Sequence, residues 1–287
     1  MWNEPFGTRL RARLDKYGPL CVGIDPSPEL LGAWGLDDSP AGLERFARTV
    51  VAAVGDVAAV VKPQSAFFER WGSRGIAVLE RVIADLREAG TMVLLDVKRG
   101  DTGSAMAAYA EAYLDQGSPL AVDAVTLSPH LGFGSLEVAI TKAVANDAGV
   151  FVPAGVFVPA GGSTRARDPE ADRLRAANAG EVLAGAEAAN AGHAPLGPVG
   201  VVIGTTPPPP DLPPDLSPNL PLDRLGGAIL APGLGAQGAS PADLARLFAG
   251  VRQAVVPSVS GAVLADPDRV RDLTLRYRDE CADHLSP

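Results

Sequence analysis

Short apolar runs bounded by turn residues recur along the whole chain, and segments with helical periodicity lie between most of them. Runs that are apolar on both faces are typical of strands in a parallel sheet that helices cover. Eight such units within about 265 residues fit a (β/α)8 barrel better than a doubly wound sheet. We therefore predict an α/β protein with a single TIM-barrel domain over residues 1–287. The predicted strands are Leu20–Ile24, Val57–Val61, Met92–Val97, Val122–Leu127, Gly149–Val158, Val199–Ile203, Gly227–Ala231 and Val251–Val256.

The helix signals between these runs are clearest at two places. Residues 75–89 place Leu79, Val82, Ile83 and Leu86 on one stripe, with charged residues off it. A second helix is predicted to begin at Ser240 as N-cap, followed by Pro241 in its first turn.

Two segments complicate the strand pattern. Residues 204–221 are rich in proline and are predicted to form a stiff loop within the one domain, although a domain linker is the alternative interpretation. Residues 150–162 contain the tandem repeat VFVPA-G-VFVPA, and the sequence leaves open which copy forms the strand.

Charge and composition exclude several classes of protein. The formal net charge of −9 argues against sequence-blind nucleic-acid binding, which needs a basic patch. No apolar run reaches the length of a membrane span, and the first residues lack the apolar stretch of a signal peptide. The two cysteines, Cys21 and Cys281, indicate a reducing compartment. We expect a cytoplasmic protein that binds neither nucleic acid nor membranes.

Charged side chains interrupt the apolar strands at their carboxyl ends. Asp25 follows the first strand, Lys62 follows the second, and Asp96 and Lys98 lie at the end of the third, with Asp101 just beyond. Residues two apart in a strand point to the same face, so Asp96 and Lys98 project together. The carboxyl ends of barrel strands form the mouth where catalytic groups lie. A charged turn with solvated ion pairs is the alternative interpretation.

The choice of lysine at these positions indicates proton chemistry. The chain has only four lysines against 21 arginines, yet Lys62 and Lys98 both lie at strand ends. Arginine serves an ordinary ion pair at least as well but does not readily release a proton, whereas lysine does. No G-x-G-x-x-G or Walker-type loop follows a strand, which argues against the common nucleotide cofactors.

The D-x-K-x-x-D motif at the third strand resembles the orotidine 5′-monophosphate decarboxylases, and longer pieces resemble that family's longer-chain bacterial branch. The resemblance spans residues 18 to 265 approximately. Sugar-phosphate lyases share the motif. The segments around Asp25 and Lys62 are what distinguish the nucleotide decarboxylases from those lyases. The matching pieces are CVGIDPSPELL, VKPQSAFFERWG, LLDVKRGDTGS and VTLSPHLGFGSLE.

The resemblance implies roles for the charged residues. Lys62, Asp96, Lys98 and Asp101 match the family's catalytic tetrad, in which Asp101 reaches the site of the neighbouring subunit of an obligate homodimer. Asp25 and Lys62 match positions that hold the ribose hydroxyls. The resemblance implies no metal and no cofactor.

The resemblance also implies residues that hold the base and the phosphate. Ser163 is the candidate for the serine at the pyrimidine edge, and Gln237 would bridge pyrimidine and phosphate. Backbone amides near Gly235, Gln237 and Gly238 would face the phosphate, which suits a glycine-rich loop ahead of a helix.

Two further positions depart from the family pattern. Ala105 stands where the family usually has a threonine that contacts the ribose. Gly261 or a neighbour stands where the family usually has an arginine on the phosphate. Loss of such a charge-assisted contact weakens phosphate binding by about 1.5–3 kcal/mol.

The expected activity is decarboxylation of orotidine 5′-monophosphate to UMP and CO2, with Lys98 protonating C6. Two alternatives stay open at this point. One is a sugar-phosphate decarboxylase or lyase of the same suprafamily that uses Mg²⁺, and the other is a non-catalytic relative that binds nucleotides.

Overall fold

The chain folds into a closed eight-stranded parallel barrel in which each strand pairs with the next and β8 pairs with β1. The computed structural model describes residues 3–154, 169–205, 220–235 and 238–286, with the backbone alone for 169–177. The predicted fold class is confirmed. The strands are β1 Cys21–Ile24, β2 Val60–Pro63, β3 Met92–Arg99, β4 Ala124–Leu127, β5 Gly149–Pro153, β6 Val199–Val202, β7 Ile229–Pro232 and β8 Val255–Val259.

Helices cover the outside of the barrel, and the two predicted from the sequence are present. Helix α5 turns its apolar stripe to the core, where Val82 and Leu86 are fully buried. Helix α9 begins with a capping box between Ser240 and Asp243. The described helices are α1 Phe6–Tyr17, α2 Pro28–Ala33, α3 Pro40–Val54, α4 Ser65–Glu69, α5 Ser73–Glu88, α6 Gly103–Leu114, α7 Glu137–Ala145, α8 Pro169–Asn190, α9 Pro241–Leu247, α10 Gly261–Leu264 and α11 Val270–Leu285.

Strand boundaries differ from the predictions where apolar residues are buried without belonging to a strand. Residues 57–59 are buried before β2 begins, and a 3-10 turn at Arg252–Ala254 delays β8 until Val255. Strand β5 uses the first copy of the repeat, ending at Pro153. The second copy lies outside the described residues.

The proline-rich stretch joins two neighbouring strands of the barrel. Val201 of β6 pairs with Ile229 of β7, so residues 204–221 leave and re-enter the same sheet. Most of that stretch, residues 206–219, lies outside the described residues.

Among the described residues, two apolar clusters form the core. The larger lies between the strands and the surrounding helices. The smaller joins inward-facing strand residues such as Leu94 and Phe151 to Phe6 and Leu10 of α1. Phe6 packs edge-to-face on Phe151, with ring centroids 6.1 Å apart. Helix α1 therefore closes the end of the barrel where the strands begin, and leaves the carboxyl ends open.

Cys21 and Cys281 are buried free thiols. Within the described ranges, no helix combines the length and the apolar character needed to cross a membrane.

Candidate functional site at the carboxyl ends of the strands

A cavity of about 230 Å³ lies at the carboxyl ends of the barrel strands. Charged residues line one side of it and apolar or hydroxyl-bearing residues line the other. The lining residues are Asp25, Lys62, Asp96, Lys98, Thr126, Val202, Leu230, Pro232, Gly233, Leu234, Ser258, Ser260 and Gly261. Four of the charged residues singled out in the sequence thus meet in one cavity.

Lys62 is the buried centre of this charged row. Its Nζ lies 3.2 Å from Oδ2 of Asp96 and 3.9 Å from Oδ1 of Asp25. Lys62 and Asp96 are each only 7% exposed. Burial by itself lowers the pKa of a lysine, but the two carboxylates outweigh it and raise the pKa of Lys62. The ammonium form is therefore held in place.

Asp96 lies between the two lysines. Its Oδ1 accepts a hydrogen bond from Nζ of Lys98 at 2.6 Å, while its Oδ2 faces Lys62. Burial by itself raises the pKa of this carboxyl group, but the two ammonium groups and their hydrogen bonds hold it below its usual range. Asp96 is therefore ionised at neutral pH.

Lys98 is the accessible member of the row. Its side chain is 48% exposed, against 9% for the side chain of Lys62. Its backbone has a φ of 47°, in the left-handed region that non-glycine residues seldom adopt. The ammonium group at this exposed end is the one within reach of a bound ligand.

Asp25 has a buried oxygen that forms an ion pair but accepts no hydrogen bond from the described residues. Its Oδ1 is buried and accepts no hydrogen bond within the described part of the chain, although Lys62 lies 3.9 Å away. Buried polar atoms are nearly always hydrogen-bonded, so an orphaned one in a cavity indicates a ligand donor such as a hydroxyl.

Asp101 is not among the residues that line the cavity. It precedes α6, and its Oδ1 accepts a hydrogen bond from the amide of Thr102 at 2.8 Å. It forms no ion pair with any described residue. Ala105 is exposed in the first turns of α6.

The described residues of the glycine-rich loop after β7 donate hydrogen bonds to one another. The amide of Gly235 donates to the carbonyl of Ala239 at 3.0 Å, and the amide of Gly238 donates to Gly235 at 2.9 Å. Gly235 has a φ of 76°, and an added Cβ there would lie 2.7 Å from that of Ala262. Gln237 lies outside the described residues, as does Ser163.

Gly261 is exposed at the start of α10 and lines the cavity beside Ser258 and Ser260. A glycine offers no side chain to an anion there. The two serines supply hydroxyl groups on this side of the cavity, and sequence reasoning missed both because isolated serines carry no pattern.

Thr126 is the other residue that the sequence did not indicate. It is 1% exposed on β4, and its Oγ1 donates a hydrogen bond to Oδ1 of Asp96 at 2.8 Å. Its only sequence signal is a hydroxyl in an otherwise apolar strand. Arg99, by contrast, turns away from the cavity and pairs with Glu69 at 2.5 Å.

The sequence matches the Orotidine 5′-phosphate decarboxylase / HUMPS family over residues 18–274. The chain belongs to this family. The match covers the resemblance found from the motifs and extends past β8 into α11.

Curated relatives of this family match nearly the whole chain. The orotidine 5′-phosphate decarboxylase of Streptomyces coelicolor is 53% identical over 269 residues, which cover 91% of this chain and 90% of the relative. The orotidine 5′-phosphate decarboxylase of a Nocardioides species is 51% identical over 285 residues, covering 96% and 98% of the two chains.

Solved structures of the same family share the fold. A Streptomyces avermitilis crystal structure, provisionally named as an orotidine 5′-phosphate decarboxylase, is 47% identical with a TM-score of 0.88 and covers 100% of this chain and 98% of that one. The Leishmania donovani OMP decarboxylase is 25% identical with a TM-score of 0.69, covering 99% and 100%.

Proposed function

We propose that the protein decarboxylates orotidine 5′-monophosphate to UMP and CO2, the last step of UMP biosynthesis. The observation that carries the proposal is the row Asp25–Lys62–Asp96–Lys98, which ends in an exposed ammonium at the barrel mouth. Curated relatives that are 53% identical and named for this reaction support it.

Lys98 is the proton donor in the proposed reaction. When the bond between C6 and the carboxylate breaks, its electron pair stays on C6 and CO2 leaves. The Lys98 ammonium stabilises this negative charge and then gives a proton to C6, and the resulting amine regains a proton from solvent. This chemistry requires no metal and no cofactor.

Asp96 has two tasks in this mechanism. It holds the Nζ of Lys98 in place through the 2.6 Å hydrogen bond. It also repels the substrate carboxylate, and that repulsion vanishes as CO2 departs. Like charges 4 Å apart repel by about 4 kcal/mol at an effective dielectric of 20 and by about 1 kcal/mol in water. The buried position of Asp96 therefore favours the larger effect.

Asp25 and Lys62 are proposed to hold the ribose. Oδ1 of Asp25 accepts no hydrogen bond from the described residues, which suits a ribose hydroxyl as donor. Ser163 and Gln237 are proposed to hold the base, with backbone near Gly235 and Gly238 toward the phosphate.

Asp101 is proposed to complete the site of a second subunit, which makes the active form a homodimer. Its lack of an ion pair with any described residue leaves this carboxylate available to a second subunit. The buried free thiols are consistent with a cytoplasmic enzyme.

The function is tested by mixing orotidine 5′-monophosphate with the purified protein in the presence of EDTA and following the absorbance. We expect absorbance to fall as the conjugated carboxylate is lost, with UMP as the product and no dependence on added metal. Turnover that EDTA abolishes would favour a Mg²⁺-dependent lyase. UMP binding without turnover would indicate a non-catalytic relative.

A further inference from the structure

The pairing of β3 with β4 is interrupted where Lys98 lies. Leu95 pairs with Val125, but the next pair is Arg99 with Leu127. Three residues of β3 therefore face a single residue of β4, Thr126. A bulge of this kind redirects side chains and removes the regular hydrogen-bond partners of the bulged residues.

The hydroxyl of Thr126 takes the place of the backbone hydrogen bonds between β3 and β4 that the bulge interrupts. Its Oγ1 accepts hydrogen bonds from the amides of Val97 and Lys98, both at 2.9 Å. The same oxygen donates to Oδ1 of Asp96 at 2.8 Å. A hydroxyl has one donor and two acceptor sites, so all of its hydrogen-bonding capacity is directed at three consecutive residues.

The backbone of Lys98 needs this support. A non-glycine residue in the left-handed region is strained, so surrounding contacts must hold it there. Lys98, whose φ is 47°, is also the residue whose amide donates a hydrogen bond to Oγ1 of Thr126. Without that bond the residue is free to relax toward ordinary extended backbone, which would move its ammonium group away from the cavity.

We propose that Thr126 is a positioning residue that fixes the bulged backbone at Lys98 and the carboxylate of Asp96 in their reactive geometry. The role rests on the proposed decarboxylation by Lys98. Thr126 acts through these two residues, because its one proton and both lone pairs are already committed to them.

Valine is the appropriate replacement because it keeps the shape of threonine and removes the hydroxyl. In Thr126→Val we expect kcat to fall by about tenfold to a hundredfold, the loss that follows from misplacing a reacting group by about 1 Å. The dissociation constant of UMP should change less than threefold, since Thr126 has no hydrogen-bonding capacity left for a ligand.

Two further variants separate positioning from general stability. Thr126→Ser retains the hydroxyl and should restore kcat to within about threefold of wild type. Thr274→Val removes another fully buried threonine hydroxyl, which donates to Val270 at 2.8 Å in α11, and should leave kcat unchanged.

Amide hydrogen exchange reports the backbone directly. Exchange at Val97 and Lys98 should accelerate in Thr126→Val and return to the wild-type rate in Thr126→Ser. Should the valine variant fail to fold, Thr126→Ala serves in its place for both measurements.

The outcomes distinguish this role from the function on which it rests. Wild-type protein without turnover refutes the decarboxylation, and exchange at the two amides then still decides whether Thr126 holds the bulge. With an active wild type, a valine variant of unchanged kcat would overturn the proposal. So would a serine variant as slow as valine, or a loss of UMP affinity equal to the loss in kcat.

Discussion

The two ends of the barrel both hold buried charge, but they use it differently. At the base, the end of the barrel where the strands begin, Asp123 forms an ion pair with Arg9. It also accepts a hydrogen bond from the backbone amide of Val93. Arg13 of α1 donates to the carbonyls of Ala58, Ala59 and Gly90. At the mouth, the charged side chains bond to one another and leave the ammonium of Lys98 accessible.

The comparison shows that cavity size does not identify the site. The cavity beside α1 at the base measures about 520 Å³, more than twice the 230 Å³ of the mouth. The arginines of α1, Arg9 and Arg13, are committed to backbone carbonyls and to Asp123, so they tie α1 to the loops that lead into the strands. The lysines of the mouth face carboxylates and a cavity, which suits proton transfer.

The largest expected difference between the two ends comes from removing one carboxylate at each. Asp96→Asn should lower kcat by at least a hundredfold, because it removes the partner of both lysines. It should also lower the free energy of unfolding by about 3–5 kcal/mol, since the buried ammonium of Lys62 loses an ion pair. Steady-state kinetics and denaturant unfolding measure the two effects.

Asp123→Asn is the matched change at the base. It should lower the free energy of unfolding by about 1–3 kcal/mol while kcat stays within twofold of wild type. A large loss of kcat in Asp123→Asn would contradict a purely structural role for the charges at the base. Full activity in Asp96→Asn would contradict a catalytic role for the charges at the mouth.

The second prediction concerns the residue that a second subunit is proposed to contribute to the site, Asp101. Lys98→Ala and Asp101→Ala proteins should each be inactive, yet about a quarter of wild-type activity should return when equal amounts are mixed and re-equilibrated. Random exchange makes about half the dimers mixed, and half the sites in those dimers are intact. Background activity after confirmed exchange would place Asp101 in its own chain's site or give it a structural role.

The third and smallest effect concerns the phosphate side of the mouth. Gly261→Arg should lower KM for orotidine 5′-monophosphate by about tenfold, because a guanidinium group binds phosphate with charge-assisted hydrogen bonds. Gly250→Arg adds the same charge at an exposed glycine that does not line the cavity and should leave KM unchanged. Equal effects in both variants would indicate general attraction of the anion. An unchanged KM in Gly261→Arg would show that another group already holds the phosphate.

The sequence predicted the barrel because eight apolar runs repeat between helical segments, and a repeat of that kind is a local property. It also placed Asp96 and Lys98 on one face from their spacing. The bulge that brings Lys98 to its actual position depends on the register between β3 and β4, strands about thirty residues apart. Neither that register nor the three hydrogen bonds of Thr126 can be predicted from the local sequence.

The most direct test of the mechanism is turnover by Lys98→Ala, measured beside its binding of UMP. Decarboxylation should fall below detection while the protein stays folded and still binds UMP, because the site loses its acid and its accessible positive charge. Lys98→Arg should also fail, since arginine keeps the charge but does not readily release a proton. Turnover by Lys98→Ala within tenfold of wild type would contradict the assignment of Lys98 as the proton donor.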